Sequence, residues 1–490
     1  MTEKDGFSER VAGWFDSRLG LSHPLLRPVP QFALNPFYWL GALAVVAFVI
    51  QGVTGMIMML YYIPSPTQAY SSTQYIFQSV SNGRFLETVH LYTAYAMIML
   101  AFMHMMRGYF VSVQKNPREV MWVVGMLMGF VTLGFGFTGY LLPWTVVSYS
   151  ATHVGVGMIS ALPQPISNLL NFLIVGSAGD AGELLRFFDL HVVILPAVLL
   201  VLLAVKMYML EAHGVADPTS GASAEAKART LPIFPDVTVY LLELSLLFGA
   251  GMLLISAFFP LNLPAEYSAL TAGQSTPQPD WYFLWIYQVL KVSVFEGGGG
   301  LAAALSVVTL VFIVLLVLPF IDRGKTRELS RRPVYVTLGL IFVGEVLMLS
   351  YWGSVTPGAT IPLEQAALVI GGTALLIALV SLAVYRALYS RVRGRLQTVP
   401  AARVSRTEVR SGLAFAVLVA VGAVAIGTLV NSVVGIVLSG FSTSSGELLA
   451  VSAGTLALDV LGTVYVIYRL DLRTGGIRRR VKAFEVGWKG

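Results

Sequence analysis

The chain has 490 residues, of which 56% are hydrophobic and only 12% are charged, and this balance excludes a water-soluble globular domain. It contains no cysteine, which excludes disulfides and cysteine-ligated cofactors and leaves its six histidines as the main candidates for metal ligands. The net charge of +6 does not indicate nucleic-acid binding, because the basic residues lie in segments that flank apolar runs.

Ten apolar runs of bilayer length recur along the chain, and inside a membrane such runs pair their backbone groups as helices. They lie at about residues 37–62, 86–110, 120–142, 187–210, 237–260, 302–321, 333–352, 364–387, 411–440 and 446–469. We therefore expect an all-α polytopic membrane protein with about ten transmembrane helices, the first four of which form a bundle.

The positions of the lysines and arginines predict the orientation. All but three of the 32 fall on alternate connecting segments, starting from the N-terminus. The positive-inside rule therefore places both termini in the cytoplasm of a multi-pass protein of the cell membrane. We expect four parts. They are a cytoplasmic segment (1–36), an N-terminal four-helix domain (37–215), a C-terminal domain (216–388), and an extension of two helices with a basic tail (389–490).

Two histidines of the second span, His90 and His104, stand at positions i and i+14. On an α-helix this spacing puts them about 21 Å apart along the axis and within roughly 40° of one face. Two imidazoles so placed suit two cofactors at two depths, although uncharged histidines without a ligand are the alternative. His191, at the outer end of the fourth span, matches the depth of His90. The two form a candidate bis-histidine iron site between facing helices.

The first and third spans carry glycine pairs with the same i and i+14 spacing. The pairs are Gly41 with Gly55, and Gly125 with Gly139. Each glycine costs about 1 kcal/mol of helix stability against alanine, so a compensating use is expected. We interpret the pairs as room for two flat macrocycles against the backbone, with small-residue helix packing as the alternative.

Two outer-face segments are candidates for a lipid-like ligand. The third span ends in GFTGYLLPW (136–144), and a later connection contains TPQPDWYFLWIY (276–287). Asp280 in the second segment is placed to accept protons from such a ligand. An interfacial aromatic belt is the alternative explanation for the tryptophans and tyrosines.

Together these residues resemble the cytochrome b subunit of quinol-oxidising Rieske/cytochrome b complexes, over roughly residues 30–388. Further shared motifs are HxxRG at His104 to Gly108, NPRE before the third span, RFF before His191, and PDWY, which is PEWY in the usual form. The runs KNPREVMWVVG and HVVILP are more similar to the cytochrome b6 branch. That branch is split after its fourth helix, whereas this chain resembles a fusion of the two halves.

The resemblance implies that quinol binds at the outer face, between Pro279–Tyr287 and the 136–144 segment together with the connection after it. One electron would pass to a Rieske iron–sulfur protein, and the other through an outer and an inner haem to a quinone on the cytoplasmic side. Asp280, with Tyr282 or Tyr287, would accept or relay the protons. Tyr140, within GYLLPW, is a further candidate at the quinol site.

The resemblance also assigns the haem contacts. The outer haem would have His90 and His191 as ligands, beside Gly55 and Gly139. The inner haem would have His104 as one ligand, beside Gly41 and Gly125, with Arg107 of the HxxRG motif as a further contact. The haems would be b-type by resemblance, although ligand spacing leaves other haem types open. This family is usually dimeric.

Two further positions depart from the family pattern. The second histidine of the inner haem is expected fourteen or fifteen positions after His191, where Val205 and Lys206 stand. Lys206 as a neutral ligand is our hypothesis. Pairing of Lys206 with a haem propionate, or an absent or displaced inner haem, are the alternatives. The other position is Glu87, where the family has an arginine. We interpret Glu87 as a helix-start residue, with compensation by Arg84 as the alternative.

Two other functions stay open. A cytochrome-b-like subunit of a terminal quinol oxidase assembly would pass its electrons to oxidase or cytochrome subunits, with haems that need not be protohaem. A haem-free, proton-coupled transporter of ten spans would use the buried histidines differently. Carboxylates inside spans, such as Glu345, are interpreted as helix–helix hydrogen bonds or a proton path.

Overall fold

The computed structural model describes residues 28–30, 36–176, 180–214, 230–268, 277–296, 299–322, 324, 327 and 332–396. The predicted spans 411–440 and 446–469, the basic tail and most of the predicted N-terminal segment lie outside these residues.

The described part of the chain is mainly helical. The α-helices in chain order are α1 (Leu40–Met59), α2 (Ala69–Gln78), α3 (Gly83–Phe110), α4 (Glu119–Leu141), α5 (Val146–Ser160), α6 (Ile166–Leu170), α7 (Asp180–Asp189), α8 (Leu195–His213), α9 (Thr238–Phe258), α10 (Leu284–Leu290), α11 (Gly300–Ile321), α12 (Pro333–Val355) and α13 (Leu363–Leu396). Two short strands, β1 (Pro28–Pro30) and β2 (Thr230–Pro232), pair antiparallel, with Val29 opposite Leu231.

Eight helical segments in this part are long and apolar enough to cross a membrane. They match the first eight predicted spans, and the prediction of an all-α polytopic membrane protein is confirmed. Large apolar side chains cover their outer surfaces; Leu246 and Leu247 of α9, for example, are 63% and 72% exposed. Such a surface is typical of helices that face lipid.

The chain divides into two compact units. The first comprises residues 1–279 and 297–325, and the second comprises residues 280–296 and 326–490. Helices α9 and α11 belong to the first unit, and the predicted domain boundary at residue 215 stays a prediction. Within that unit, α9 packs on α3 and α1, and α11 packs on α4.

The centre of the first unit is a bundle in which α1 packs along α3 and α4 packs along α8. Ala47, Met97 and Leu199 are buried at mid-height. Their partly buried apolar neighbours are Phe48, Met128, Val131, Phe135 and Phe248. Met97 lies midway in sequence between His90 and His104, so this apolar layer separates the two levels at which the histidines lie.

The fourth span is not a uniform α-helix. Between α7 and α8 the chain makes a π-helical turn, Leu190–Ile194, which contains His191. Pro196 follows as the second residue of α8 and has no backbone N–H to continue the α-helical pattern toward that turn. A π turn holds one more residue per hydrogen-bonded ring than an α turn, and such turns are frequent at functional sites.

Most of the 143–186 connection is helical, although no helix was predicted there from the sequence. The Thr145 hydroxyl caps α5 by accepting from the Ser148 backbone N–H at 3.2 Å. Thr145 also forms an isolated bridge with Glu266, and the Tyr149 ring stacks on Tyr267 with centroids 3.5 Å apart. The turn after α4 is thereby attached to the segment that follows α9.

In the second unit, α12 packs against α10 and α13. A Cβ at Gly353 would lie 2.8 Å from the Leu284 carbonyl oxygen, so glycine permits this close approach of α12 to α10. The Lys291 ammonium donates to the Thr356 backbone carbonyl and, at 3.1 Å, to its hydroxyl. Partial burial lowers the pKa of Lys291.

Candidate functional site

We call the level of His90 the outer level and the level of His104 the inner level, after the predicted orientation. The outer level brings together the two histidines predicted to form a pair. The rings of His90, on α3, and His191, in the π turn, have centroids 6.4 Å apart and planes inclined by 65°. Two imidazoles that bind one metal from opposite sides need about 2 Å for each metal–nitrogen bond, plus the distance from each nitrogen to its ring centre. The observed spacing fits an iron between the two rings.

Both rings are held by a threonine hydroxyl. Thr54 Oγ1 lies 2.8 Å from His90 Nδ1, and Thr138 Oγ1 lies 3.0 Å from His191 Nδ1. Each hydroxyl also donates to the backbone carbonyl four residues earlier, at 2.7 and 2.8 Å. Because a hydroxyl has one hydrogen, it accepts from the ring N–H, and Nε2 is left unprotonated. An unprotonated ring nitrogen is what a metal requires of histidine.

These two threonines were not predicted from the sequence, although a signal for them exists. Each directly precedes one of the predicted glycines, in the dipeptides Thr54-Gly55 and Thr138-Gly139. Gln51 was not predicted either. Its side-chain amide donates to the His90 backbone carbonyl and ties α1 to α3.

The glycines lie opposite the predicted ligands at both levels. At the outer level, a Cβ on Gly55 would lie 3.3 Å from His90 Cε1, and one on Gly139 would lie 2.7 Å from His191 Cε1. The side chain nearest to each glycine is therefore the imidazole itself, a neighbour that the macrocycle interpretation did not include. A methyl group at Gly139 would push the ring away from the helix.

The inner level repeats the pattern with different side chains. A Cβ on Gly41 would lie 3.1 Å from His104 Cε1, and one on Gly125 would lie 3.1 Å from Lys206 Nζ. His104 Nδ1 is buried and has no hydrogen-bond partner among the described residues. No threonine–imidazole hydrogen bond like those of the outer level is therefore formed at His104 within the described part of the chain.

Arg107 lies one helical turn after His104, at the inner end of α3. Its guanidinium carbon lies 3.8 Å from the centroid of the Tyr38 ring, a distance typical of a cation–π interaction. The interaction holds the positive charge beside the inner level, where an anionic group of a cofactor would meet it.

Two aromatic residues organise the outer end of the first unit. The Tyr62 hydroxyl donates to the Leu142 backbone carbonyl at 2.7 Å, within the GYLLPW segment. Its ring stacks on Phe188 at 5.6 Å. Burial, with a contribution from the Glu87 charge, raises the pKa of Tyr62, which therefore stays a neutral donor. Tyr140 packs its ring against Phe137 at 5.9 Å.

The interpretation of Glu87 as a helix-start residue was wrong. Helix α3 begins at Gly83, and no acidic residue lies in its first turn. Arg84 does not face Glu87 as a compensating partner; it donates to the Leu261 carbonyl and to Asn262 Oδ1, both at 2.6 Å. Glu87 lies one helical turn before His90, near Tyr62.

In the second unit, the PDWY segment brings Asp280 and Tyr282 together. The Tyr282 hydroxyl donates to Asp280 Oδ2 at 3.1 Å, and Tyr282 is buried. Tyr287 is directed elsewhere. Its hydroxyl accepts from the Gly358 N–H at 3.0 Å, and the Lys291 ammonium lies 4.7 Å from its ring centroid. Of the two tyrosines predicted to assist Asp280, only Tyr282 contacts its carboxylate.

Comparisons with known proteins identify the family of the chain. Residues 27–214 match the family described as cytochrome b/b6/petB, and residues 273–371 match cytochrome b (C-terminal)/b6/petD. The chain is 33% identical over 356 residues to the cytochrome bc complex cytochrome b subunit of Chlorobaculum thiosulfatiphilum. The aligned residues cover 71% of this chain and 82% of that protein.

Two further relatives show how the halves are joined. Cytochrome b6 of Heliobacterium modesticaldum is 39% identical over 192 residues, which cover 39% of this chain and 90% of that protein. A chain of a hyperthermophilic respiratory Complex III superposes with a TM-score of 0.59 at 25% identity, covering 76% of this chain and 96% of that one. The b6-like half and the C-terminal half are therefore parts of one polypeptide, and the chain belongs to the cytochrome b family.

Proposed function

We propose that this chain is the cytochrome b subunit of a bc-type complex that oxidises quinol and releases protons at the outer face of the cell membrane. The observation that carries the proposal is the repeated ligand–glycine pairing at the two ends of one bundle. At the outer level it is completed by two imidazoles whose ring centroids lie 6.4 Å apart. Relatives named as subunits of bc complexes and of Complex III support the same assignment.

The residues of both levels fit a haem. At the outer level, His90 and His191 would hold it through Nε2, oriented by Thr54 and Thr138. At the inner level, His104 would supply one ligand. A haem at each level, when bound, carries single electrons across the bilayer. The apolar layer around Met97 lies between the two levels.

Proton release would begin at Asp280. A carboxylate can take a proton from a quinol hydroxyl that is within hydrogen-bond reach. The Tyr282 hydroxyl donates to Asp280 Oδ2 at 3.1 Å and would hold the carboxylate in position for this transfer. Tyr140 and the GYLLPW segment would contribute to binding the quinol ring. Tyr287, whose hydroxyl accepts from Gly358, would position the segment instead of relaying protons.

The chain does not complete the reaction alone. It has no cysteine to hold an iron–sulfur cluster, so a separate Rieske protein would take the first electron. We expect a homodimer with both termini in the cytoplasm, a quinone pool as source and sink, and cytochrome or oxidase subunits as further partners.

Asp280→Asn tests the proposal, with Asp280→Glu as the matched control, because glutamate keeps the carboxylate on an arm one methylene longer. In membranes that contain the full complex, Asp280→Asn should lower quinol-dependent turnover about 10²-fold or more, with unchanged haem content. Asp280→Glu should stay close to the wild type. An Asp280→Asn complex that turns over like the wild type would contradict the role of the carboxylate.

A further inference from the structure

The inner level has one histidine, and the structure identifies the side chain that stands opposite. Helix α8 offers two positions at this depth, Val205 and Lys206. Val205 is 42% exposed on the surface of the helix bundle, whereas Lys206 is half-buried and directs its Nζ to Gly125. The 3.1 Å between Nζ and a Cβ on Gly125 equals the distance between His104 Cε1 and a Cβ on Gly41. Lys206 thus has the relation to its glycine that the three histidines have to theirs.

The π turn explains why position 206 is the one that faces inward. On α4, Gly125 lies opposite Lys206 and Gly139 lies opposite His191. The interval from His191 to Lys206 is one residue longer than the interval from Gly125 to Gly139. The π turn Leu190–Ile194 takes up this extra residue, so the next side chains return to the same face of the helix. Without the extra residue Val205 would stand opposite Gly125.

We propose that Lys206 is an axial ligand of the inner haem iron, on the side opposite His104. This inference rests on the proposed function, since it concerns the same cofactor site. Binding would join the Nζ lone pair to iron, and the ammonium would release one proton to water. An ammonium has no lone pair, so only the neutral amine can bind.

Two neighbouring side chains are poorer candidates. Arg107 has no acceptor nitrogen, and its guanidinium is engaged with the Tyr38 ring. His213, the last residue of α8, has an exposed side chain, and its backbone carbonyl accepts from Arg118 at 3.0 Å. It lies two helical turns beyond Lys206, about 10 Å further along the helix.

The test compares three variants of the full chain, purified from membranes. Lys206→Arg places a fixed positive charge at this position, which could pair with a propionate but cannot bind iron, because arginine stays protonated. Lys206→His offers an imidazole in place of the amine. His213→Ala is the control on the same helix. The measurements are the haem count per chain by the pyridine haemochrome assay and the axial ligands by electron paramagnetic resonance and near-infrared magnetic circular dichroism.

We expect two low-spin haems in the wild type, one of them with a histidine–amine signature. Lys206→Arg should lose that signature and give a high-spin or missing inner haem. Lys206→His should show two bis-imidazole haems, and His213→Ala should match the wild type.

The inference is overturned if Lys206→Arg keeps the wild-type low-spin spectrum, which would indicate that Lys206 pairs with a propionate. It is also overturned if the wild type holds one bis-histidine haem, in which case the outer site and the proposed function survive without an inner haem. A wild type without any haem would refute the proposed function itself.

Discussion

Gly139→Ala is the substitution for which the structure predicts the largest effect at the outer level. The new Cβ would lie 2.7 Å from His191 Cε1, about 0.7 Å short of the 3.4 Å at which ordinary van der Waals contact begins. The imidazole must move by a comparable distance. Metal–ligand bonds tolerate deviations of only about 0.2 Å. We therefore expect Gly139→Ala to lose the outer haem or to convert it to a high-spin form.

Two alanine variants serve as matched controls. A Cβ on Gly129, also on α4, would meet nothing within 4 Å, so Gly129→Ala should only stabilise the helix, by up to about 1 kcal/mol. A Cβ on Gly55 would lie 3.3 Å from His90 Cε1, a shortfall of about 0.1 Å, so Gly55→Ala should keep the haem. Haem per chain and the low-spin fraction in purified protein measure the series. A Gly139→Ala protein with the haem content and spectrum of Gly129→Ala would refute the reasoning.

Two further predictions concern hydrogen bonds and a buried ion pair. Thr138→Val removes the hydroxyl that holds His191 and should weaken haem retention about 10–100-fold, as loss of such a support does in metal sites. Thr132→Val is the control, because the Thr132 hydroxyl donates only to the Met128 carbonyl of its own helix, at 2.9 Å. Equal rates of haem loss from the Thr138→Val and Thr132→Val proteins would contradict the prediction. Asp322→Ala removes the carboxylate that lies 2.9 Å from the Lys115 ammonium, in a pair whose Lys115 and Asp322 side chains are 7% and 3% exposed. The ammonium keeps its hydrogen bond to the Gly324 backbone carbonyl but loses its counter-charge. The substitution should destabilise the protein by about 3–5 kcal/mol, seen as a lower melting temperature in detergent, and the Lys115→Met/Asp322→Ala double variant should recover part of it. An unchanged melting temperature of the single variant would contradict the pair's importance.

The arrangement of the bundle was predictable because helical geometry turns residue spacing into distance. The equal intervals between the paired histidines and the paired glycines predict two levels on facing helices, and the structure places each glycine opposite a predicted ligand side chain. The first eight spans followed from apolar runs of bilayer length. These features depend on local periodicity, which a single sequence displays.

Other features depend on contacts that spacing does not encode. The sequence leaves open whether position 205 or position 206 faces the bundle, and the π turn around His191 selects Lys206. The start of α3 at Gly83 determines that Glu87 lies beyond the first turn. The direction of Tyr287 toward Gly358 depends on how the α12–α13 connection folds back on α10. In each case tertiary packing selects one of several local conformations that the spacing of residues in the sequence does not distinguish.

The central claim is that two haems lie at two levels of one bundle, and the haem count of the purified full-length chain tests it most directly. A pyridine haemochrome assay with protein quantification should give two haems per chain. A count of one would contradict the claim of two haems. A count of zero, which the haem-free transporter predicts, would contradict the proposed function as well.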